Sequence, residues 1–228
     1  MEQIYTIPVN EAFEECMEKG GCPFCNLTEK LNKDEIDLIL GASMMEPDIR
    51  KKTNEMGFCK DHFKSLLAGS KKLPLALIME SHLAEVDALL PKPGIMPAMA
   101  GASAAKNLTE LSCTCYVCSR VENNFSHMLD TAAYLWETDP DFRRKCKKQE
   151  GYCVPHLARY LASAKKRMRK ATFADFYKAI YEVESAYFAD KEEKLSRFVK
   201  SFDYRNANVP IEDARDAVER SIDLVSGK

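Results

Sequence analysis

Apolar side chains recur along this chain at three- and four-residue intervals, the spacing that stacks them on one face of an α-helix. Residues 1–8 read as an irregular lead-in ending at Pro8. Asn10 is placed to cap a short helix carrying Phe13, Cys16 and Met17, which Gly20-Gly21 stops. A tight Cys22-Pro23-Phe24-Cys25 turn opens a helix to about Leu40, with Leu27, Leu31, Ile36, Ile39 and Leu40 as its apolar side. Pro47 starts a short charged helix over 48–55, closed by Gly57. Cys59 opens another through Phe63, Leu66 and Leu67. Pro74 starts or kinks the next, which carries Leu75, Leu77, Ile78, Leu83, Val86 and Leu89.

The pattern breaks over 91–106, where three prolines, two glycines and many alanines give no usable period. Beyond this linker the first half is replayed: a lead-in helix, a Cys115–Cys118 turn, and a helix to about Trp136. Glu46-Pro47-Asp48 returns as Asp139-Pro140-Asp141, and Leu67-Ala68 returns as Leu161-Ala162. The offset of 93 to 94 residues marks an internal duplication. The second half then runs on into a long amphipathic helix from Ala171 to about Arg205. A last helix after Pro210 carries Ala214, Val218, Ile222 and Val225. No segment alternates as a strand does. The expected fold is all-α: repeat 1 over 1–90, a linker over 91–106, and repeat 2 with long C-terminal helices over 107–228.

What the two halves share most closely is a set of soft metal donors. Gly57-Phe58-Cys59-Lys60-Asp61-His62 returns as Gly151-Tyr152-Cys153-Val154-Pro155-His156, and each copy follows a Cys-x-x-Cys pair, Cys22/Cys25 and Cys115/Cys118. Cys59 lies 34 positions beyond Cys25, and Cys153 lies 35 beyond Cys118. Cys-x-x-Cys supplies two sulfurs from one turn, and Cys-x-x-His at a helix start brings positions i and i+3 to one face. Helix N-termini favour thiolate over thiol, and Gly57 and Gly151 allow a sharp bend before each ligand. Two Cys3His sites follow, with zinc (two per chain) preferred on ligand type and iron the alternative. The simpler pairing joins the half-sites of one repeat across a loop of more than thirty residues. The exchanged pairing, Cys22 and Cys25 with Cys153 and His156, stays open. A four-ligand site leaves no position for substrate, so catalysis at the metal is not expected.

Composition sharpens this in two places. Nine cysteines with this spacing point to metal or redox chemistry in a reducing compartment. Met1–Tyr5 has no basic, apolar leader and no run approaches a membrane span, so a soluble cytoplasmic protein is expected. The net charge of −2 hides a basic stretch. Arg143, Arg144, Lys145, Lys147, Lys148, Arg159, Lys165, Lys166, Arg167, Arg169 and Lys170 stand against one acid, Glu150. Such a stripe suits nucleic acid or an acidic protein, and equally a solvated helix face neutralised within the fold.

Three cysteines fall outside the repeated set. Cys16 reads as core. Cys113, two positions before Cys115, and Cys146, among lysines and arginines that favour its thiolate, are candidate redox thiols. His82 and His127 have no histidine in the other half, where Phe176 and Asp34 stand. No catalytic constellation can be named. The duplicated motifs, with Leu66-Leu67-Ala68 and Tyr160-Leu161-Ala162 after the histidines, resemble a bacterial family described only as a domain of unknown function. The resemblance runs from about Asn10 to Phe198 and implies no activity or substrate. The expected role is binding or regulation, through a protein partner or homodimer at the C-terminal helices or through the basic stripe. A thiol-based redox or metal sensor is the main rival, then nucleic-acid binding, with an enzyme last.

Overall fold

The computed structural model describes residues 3–41, 45–206 and 210–227, so the first two residues of the expected lead-in lie outside the described residues. Among the described residues there are eleven α-helices and no strand. They are α1 (Thr6–Lys19), α2 (Pro23–Ile39), α3 (Pro47–Met56), α4 (Lys60–Ala68), α5 (Lys72–Ala88), α6 (Pro97–Ser112), α7 (Tyr116–Thr138), α8 (Pro140–Lys147), α9 (Val154–Arg167), α10 (Lys170–Lys200) and α11 (Ala217–Ser226). Several ends differ from the sequence reading. Helix α1 begins at Thr6, with Pro8 in its first turn, where a missing N–H costs nothing. Asn10 is therefore interior, and its amide donates to the Thr6 carbonyl at 3.0 Å. Helix α6 begins inside the expected linker, at Pro97.

The helices gather into two compact units that cut across the sequence repeats: 1–29 with 125–228, and 30–124. The chain passes from one unit to the other within α2 and again within α7.

The first unit is built on aromatic rings packed edge to face. Phe24 packs edge-on to Phe13 and Tyr160 at centroid distances of 5.5 and 4.8 Å, and Phe176 meets Tyr160 and Trp136 at 5.0 and 5.1 Å. Phe13, Phe24, Tyr160 and Phe176 are fully buried, each contributing roughly 1.5–3 kcal/mol by removal from water. The buried hydroxyls keep partners: Tyr152 donates to the Cys146 carbonyl and Tyr160 to that of Ala132. Helix α11 turns a different face inward from the one its apolar residues suggest. Ala214 and Ala217 are buried with Leu224, while Val218, Ile222 and Val225 are 39%, 56% and 61% exposed. The short 3-10 turn Glu212–Ala214 ends before α11 begins and shifts the helical phase.

In the second unit Ile39, Leu40, Phe58, Leu66, Leu75, Ile78, Tyr116 and Val117 form the core. Helix α5 completes its buried stripe with His82 rather than Leu83, which is exposed. The His82 ring is satisfied by the Asn54 carbonyl, 2.8 Å from Nδ1, so it is a core residue. Two contacts bring the start of α7 to the end of α3. Tyr116 N donates to the Gly57 carbonyl at 3.0 Å, and Thr114 Oγ1 to that of Met56 at 2.6 Å. Helix α6 carries no buried residue, although α1, its counterpart in the duplication, buries Val9, Ala12, Phe13 and Cys16.

Candidate metal centres

Each unit holds one Cys3His group, and the partners come from different repeats. Cys22, Cys25, Cys153 and His156 converge in the first unit, and Cys59, His62, Cys115 and Cys118 in the second. In each group every donor atom lies within 4.8 Å of the others. Of the two pairings that the sequence leaves open, the exchanged arrangement is the one that brings the donors together. The links span far more than thirty residues, 128 from Cys25 to Cys153 and 59 from Cys59 to Cys118. The second link is nested inside the first.

The local reason for this convergence is that helix N-termini meet in pairs. Cys153 occupies the N-cap of α9, and Leu157 N returns to its carbonyl, leaving its sulfur and His156 one turn later on the same side. Cys22 immediately precedes α2, and Cys25 sits in its first turn. In the second unit Cys59 is the N-cap of α4 and Cys115 precedes α7.

The distances suit a tetrahedral ion. Metal–sulfur bonds of about 2.3 Å and metal–nitrogen bonds of about 2.0 Å place sulfurs about 3.8 Å apart and sulfur from nitrogen about 3.5 Å. In the first centre Cys25 Sγ is 3.6 Å from Cys153 Sγ and 3.4 Å from His156 Nδ1. Cys22 and Cys153 lie 3.9 and 3.1 Å from that nitrogen. In the second, Cys59 and Cys118 sulfurs are 3.8 Å apart, and His62 Nδ1 lies 3.1 to 3.3 Å from all three. Both histidines offer Nδ1. His62 is aimed by Asn32, whose Oδ1 lies 2.8 Å from Nε2, so Nε2–H donates and Nδ1 keeps its lone pair inward. Asn32 could not be found by sequence because it has no repeated context.

Proton affinities in the two groups follow from burial and from the donors' own contacts. Burial pushes the Cys22 thiol well up, helped by its contacts with Cys153 and Cys25. Cys118 is exposed, but partial desolvation on its packed side, with the neighbouring Cys115 and Cys59 thiols, pushes it up to about 12. Burial opposes the charged form of His156, but hydrogen bonds to Cys153 and Cys25 outweigh it and raise the group to about 9. Burial also raises Cys59, yet backbone N–H groups of His62 and Asp61 and the neighbouring thiols bring it below its ordinary value. Packed thiols resist losing their protons together, and a bound cation removes that resistance. The donor set fits a metal ion.

The glycines of the repeated motif act differently in the two centres. Gly57 has φ of +58°, and a Cβ on it would lie 2.8 Å from the His82 ring. Gly151 needs no left-handed backbone; a Cβ there would lie 2.2 Å from Tyr187, so its role is close approach rather than a sharp turn.

The remaining candidates scatter. Cys16 is buried as expected. Cys113 is exposed at the end of α6 and belongs to neither group. Cys146 is wholly buried beside Tyr160, and burial pushes its thiol up to about 12, which reverses the expected activation by its basic neighbours. The basic stripe divides. Arg143 caps the end of α7 through the Trp136 and Glu137 carbonyls, Arg144 pairs with Asp141, and Lys145 with Glu14 at 2.6 Å. Arg167 lies over the Tyr134 ring. Lys147, Lys148, Lys165, Lys166, Arg169 and Lys170 are exposed, with no carboxylate at ion-pair distance among the described residues. No helix of the described residues is long and apolar enough to cross a membrane.

A family of unknown function (DUF6062) matches residues 1–228, and the chain belongs to that family. No curated protein and no solved structure matches the chain.

Proposed function

We propose, for this member of a family of unknown function, a cytoplasmic zinc-stapled helical scaffold that works by binding a partner. One zinc closes each Cys3His group, two per chain. The observation that carries the reading is the meeting of two helix N-termini at each group with tetrahedral donor spacing. Four protein donors fill such an ion, so its role is to hold helices rather than to activate water. The exposed Val218, Ile222 and Val225 on α11 support a protein partner or second copy at the C-terminal helices. Elemental analysis of protein purified without added metal tests the staple: two zinc per chain and a colourless solution are expected. Iron with visible absorption would replace zinc and turn the centres toward electron transfer. Metal-free folded protein would end the reading.

The second reading is a thiol-based sensor at the second centre. It is favoured by the exposure of Cys118, whereas no cysteine of the first centre is exposed; Cys113, five positions before Cys118 in the sequence, is exposed too. Peroxide would oxidise two of these thiols to a disulfide, itself being reduced to water, and the ion would leave. Mild peroxide that releases no zinc sinks this reading. Nucleic-acid binding ranks below both, because Arg143, Arg144, Lys145 and Arg167 are spent within the fold.

A further inference from the structure

The first centre opens onto a cavity of about 460 Å³ that Cys22, Cys25 and Cys153 help to line. Another wall is α11 with its N-cap residue Asp216; Asp216, Glu219, Arg220 and Asp223 line the same space. The end of that helix closes on the centre itself, since a Cβ on Gly227 would lie 3.5 Å from Cys153 Sγ.

The charges lining the cavity are unequal. Five carboxylates, Glu29, Glu150, Asp216, Glu219 and Asp223, stand against Lys19, Lys191 and Arg220. Two pairs cancel: Lys191 Nζ lies 2.8 Å from Glu150, and Arg220 Nε lies 2.7 Å from Asp216. Glu150 is further committed to Gly21 N at 3.0 Å, and the Lys191 side chain is only 5% exposed, so this pair is part of the wall. What remains is Glu29, Glu219 and Asp223 against Lys19. Among the described residues, none of these three acids has a lysine or arginine within ion-pair distance.

We propose that this cavity is the access route by which a divalent cation reaches the first centre, with Glu29, Glu219 and Asp223 drawing the ion toward the thiolates. The inference rests on the metal reading above and adds how the ion arrives. A hydrated cation exchanges some of its water for hard carboxylate oxygens, then those for thiolates, which hold a borderline ion more tightly. A cleft lined by one sign of unpaired charge raises the local concentration of the opposite ion and its rate of arrival. The second centre needs no such route, because Cys118 is exposed to solvent.

The test is cadmium exchange into the metal-loaded full chain, followed by cadmium NMR, in which each centre has its own resonance. At low ionic strength the triple variant Glu29→Gln, Glu219→Gln, Asp223→Asn should slow filling of the first centre by about tenfold, the lower end of electrostatic steering. The second centre should keep its rate, and the difference should close as salt approaches about 1 M. Lys19→Glu, on an exposed side chain, should quicken filling of the first centre, and it carries the test alone if the triple variant does not fold. Equal rates at the first centre in parent and variants would overturn the proposal. A parent showing no thiolate-bound cadmium resonance at either centre would overturn the metal reading itself, a result distinct from unchanged rates.

Discussion

Replacing Cys25 by serine separates the exchanged pairing from the within-repeat one. In the structure Cys25 shares its centre with Cys22, Cys153 and His156. The change should cost one bound metal ion of two and make Cys22 and Cys153 reactive to an alkylating reagent, while Cys59, Cys115 and Cys118 stay protected. Peptide-level mass spectrometry reads each cysteine separately. The stability effect follows from the link that is lost. Cys25 and Cys153 are 128 positions apart, and the ion, which leaves on unfolding, stabilises the fold by its binding free energy less the cost of closing a loop of that length, about 5 kcal/mol. The same estimate for the 59-position link in the second unit is about 4 kcal/mol. A structural site of this kind is worth about 10–16 kcal/mol, so about 5 kcal/mol or more remains after loop closure, and at roughly 2–4 °C per kcal/mol losing the first link should lower the unfolding temperature of its unit by at least about 10 °C. Alkylation of Cys59 with continued protection of Cys153 would refute the exchanged pairing. A fall of only a degree or two would show that the link contributes little.

Three further outcomes can be checked separately. Gly151→Ala places a methyl group against Tyr187 and should destabilise by about 1–3 kcal/mol, an overpacking cost that Tyr187→Ala partly relieves; Gly57→Ala should stay destabilised in a His82→Ala background, because φ of +58° is costly for any side chain, and chemical denaturation of the double variants decides both. Burial raises Glu184 to about 7 despite the N–H of Tyr152, so the folded state favours its neutral form; no cost exists below the unfolded value near 4.5, and stability is lost as pH climbs from there to about 7. Glu184→Gln should match the parent at pH 4 and exceed it by up to about 3 kcal/mol at pH 8, and a constant difference across that range would contradict the assignment. In the metal-loaded protein Cys113 should alkylate first while Cys16 and Cys146 stay silent until unfolding; prompt labelling of Cys146 would contradict its burial.

Much of this molecule was legible along the chain because the signals are local. The helices follow from apolar spacing, and the eight donors follow from two four-residue motifs, each needing only one turn at a helix start to present its pair of side chains. Pro47, Pro140 and Pro155 mark first turns for the same reason, a fixed φ that suits the start of a helix.

What lay beyond the sequence is which local pieces meet. Any Cys-x-x-Cys can complete any Cys-x-x-His, and the two repeats offer both pairings with equal chemistry. The choice belongs to packing: α2 meets α9 through Phe24 and Tyr160, and the start of α7 meets the end of α3, just before Cys59, where Tyr116 N donates to the Gly57 carbonyl. Two glycines that look equivalent in the motif differ for the same reason, since His82 faces one and Tyr187 the other. Cys146 sits in a run of cations, yet its thiol is governed by the aromatic side chains above it, and α6 copies the place of α1 in the repeat without its burial. Spacing along a chain fixes what a segment can present. The partner it presents to, and the water it excludes, depend on residues a hundred positions away, and only the tertiary structure decides them.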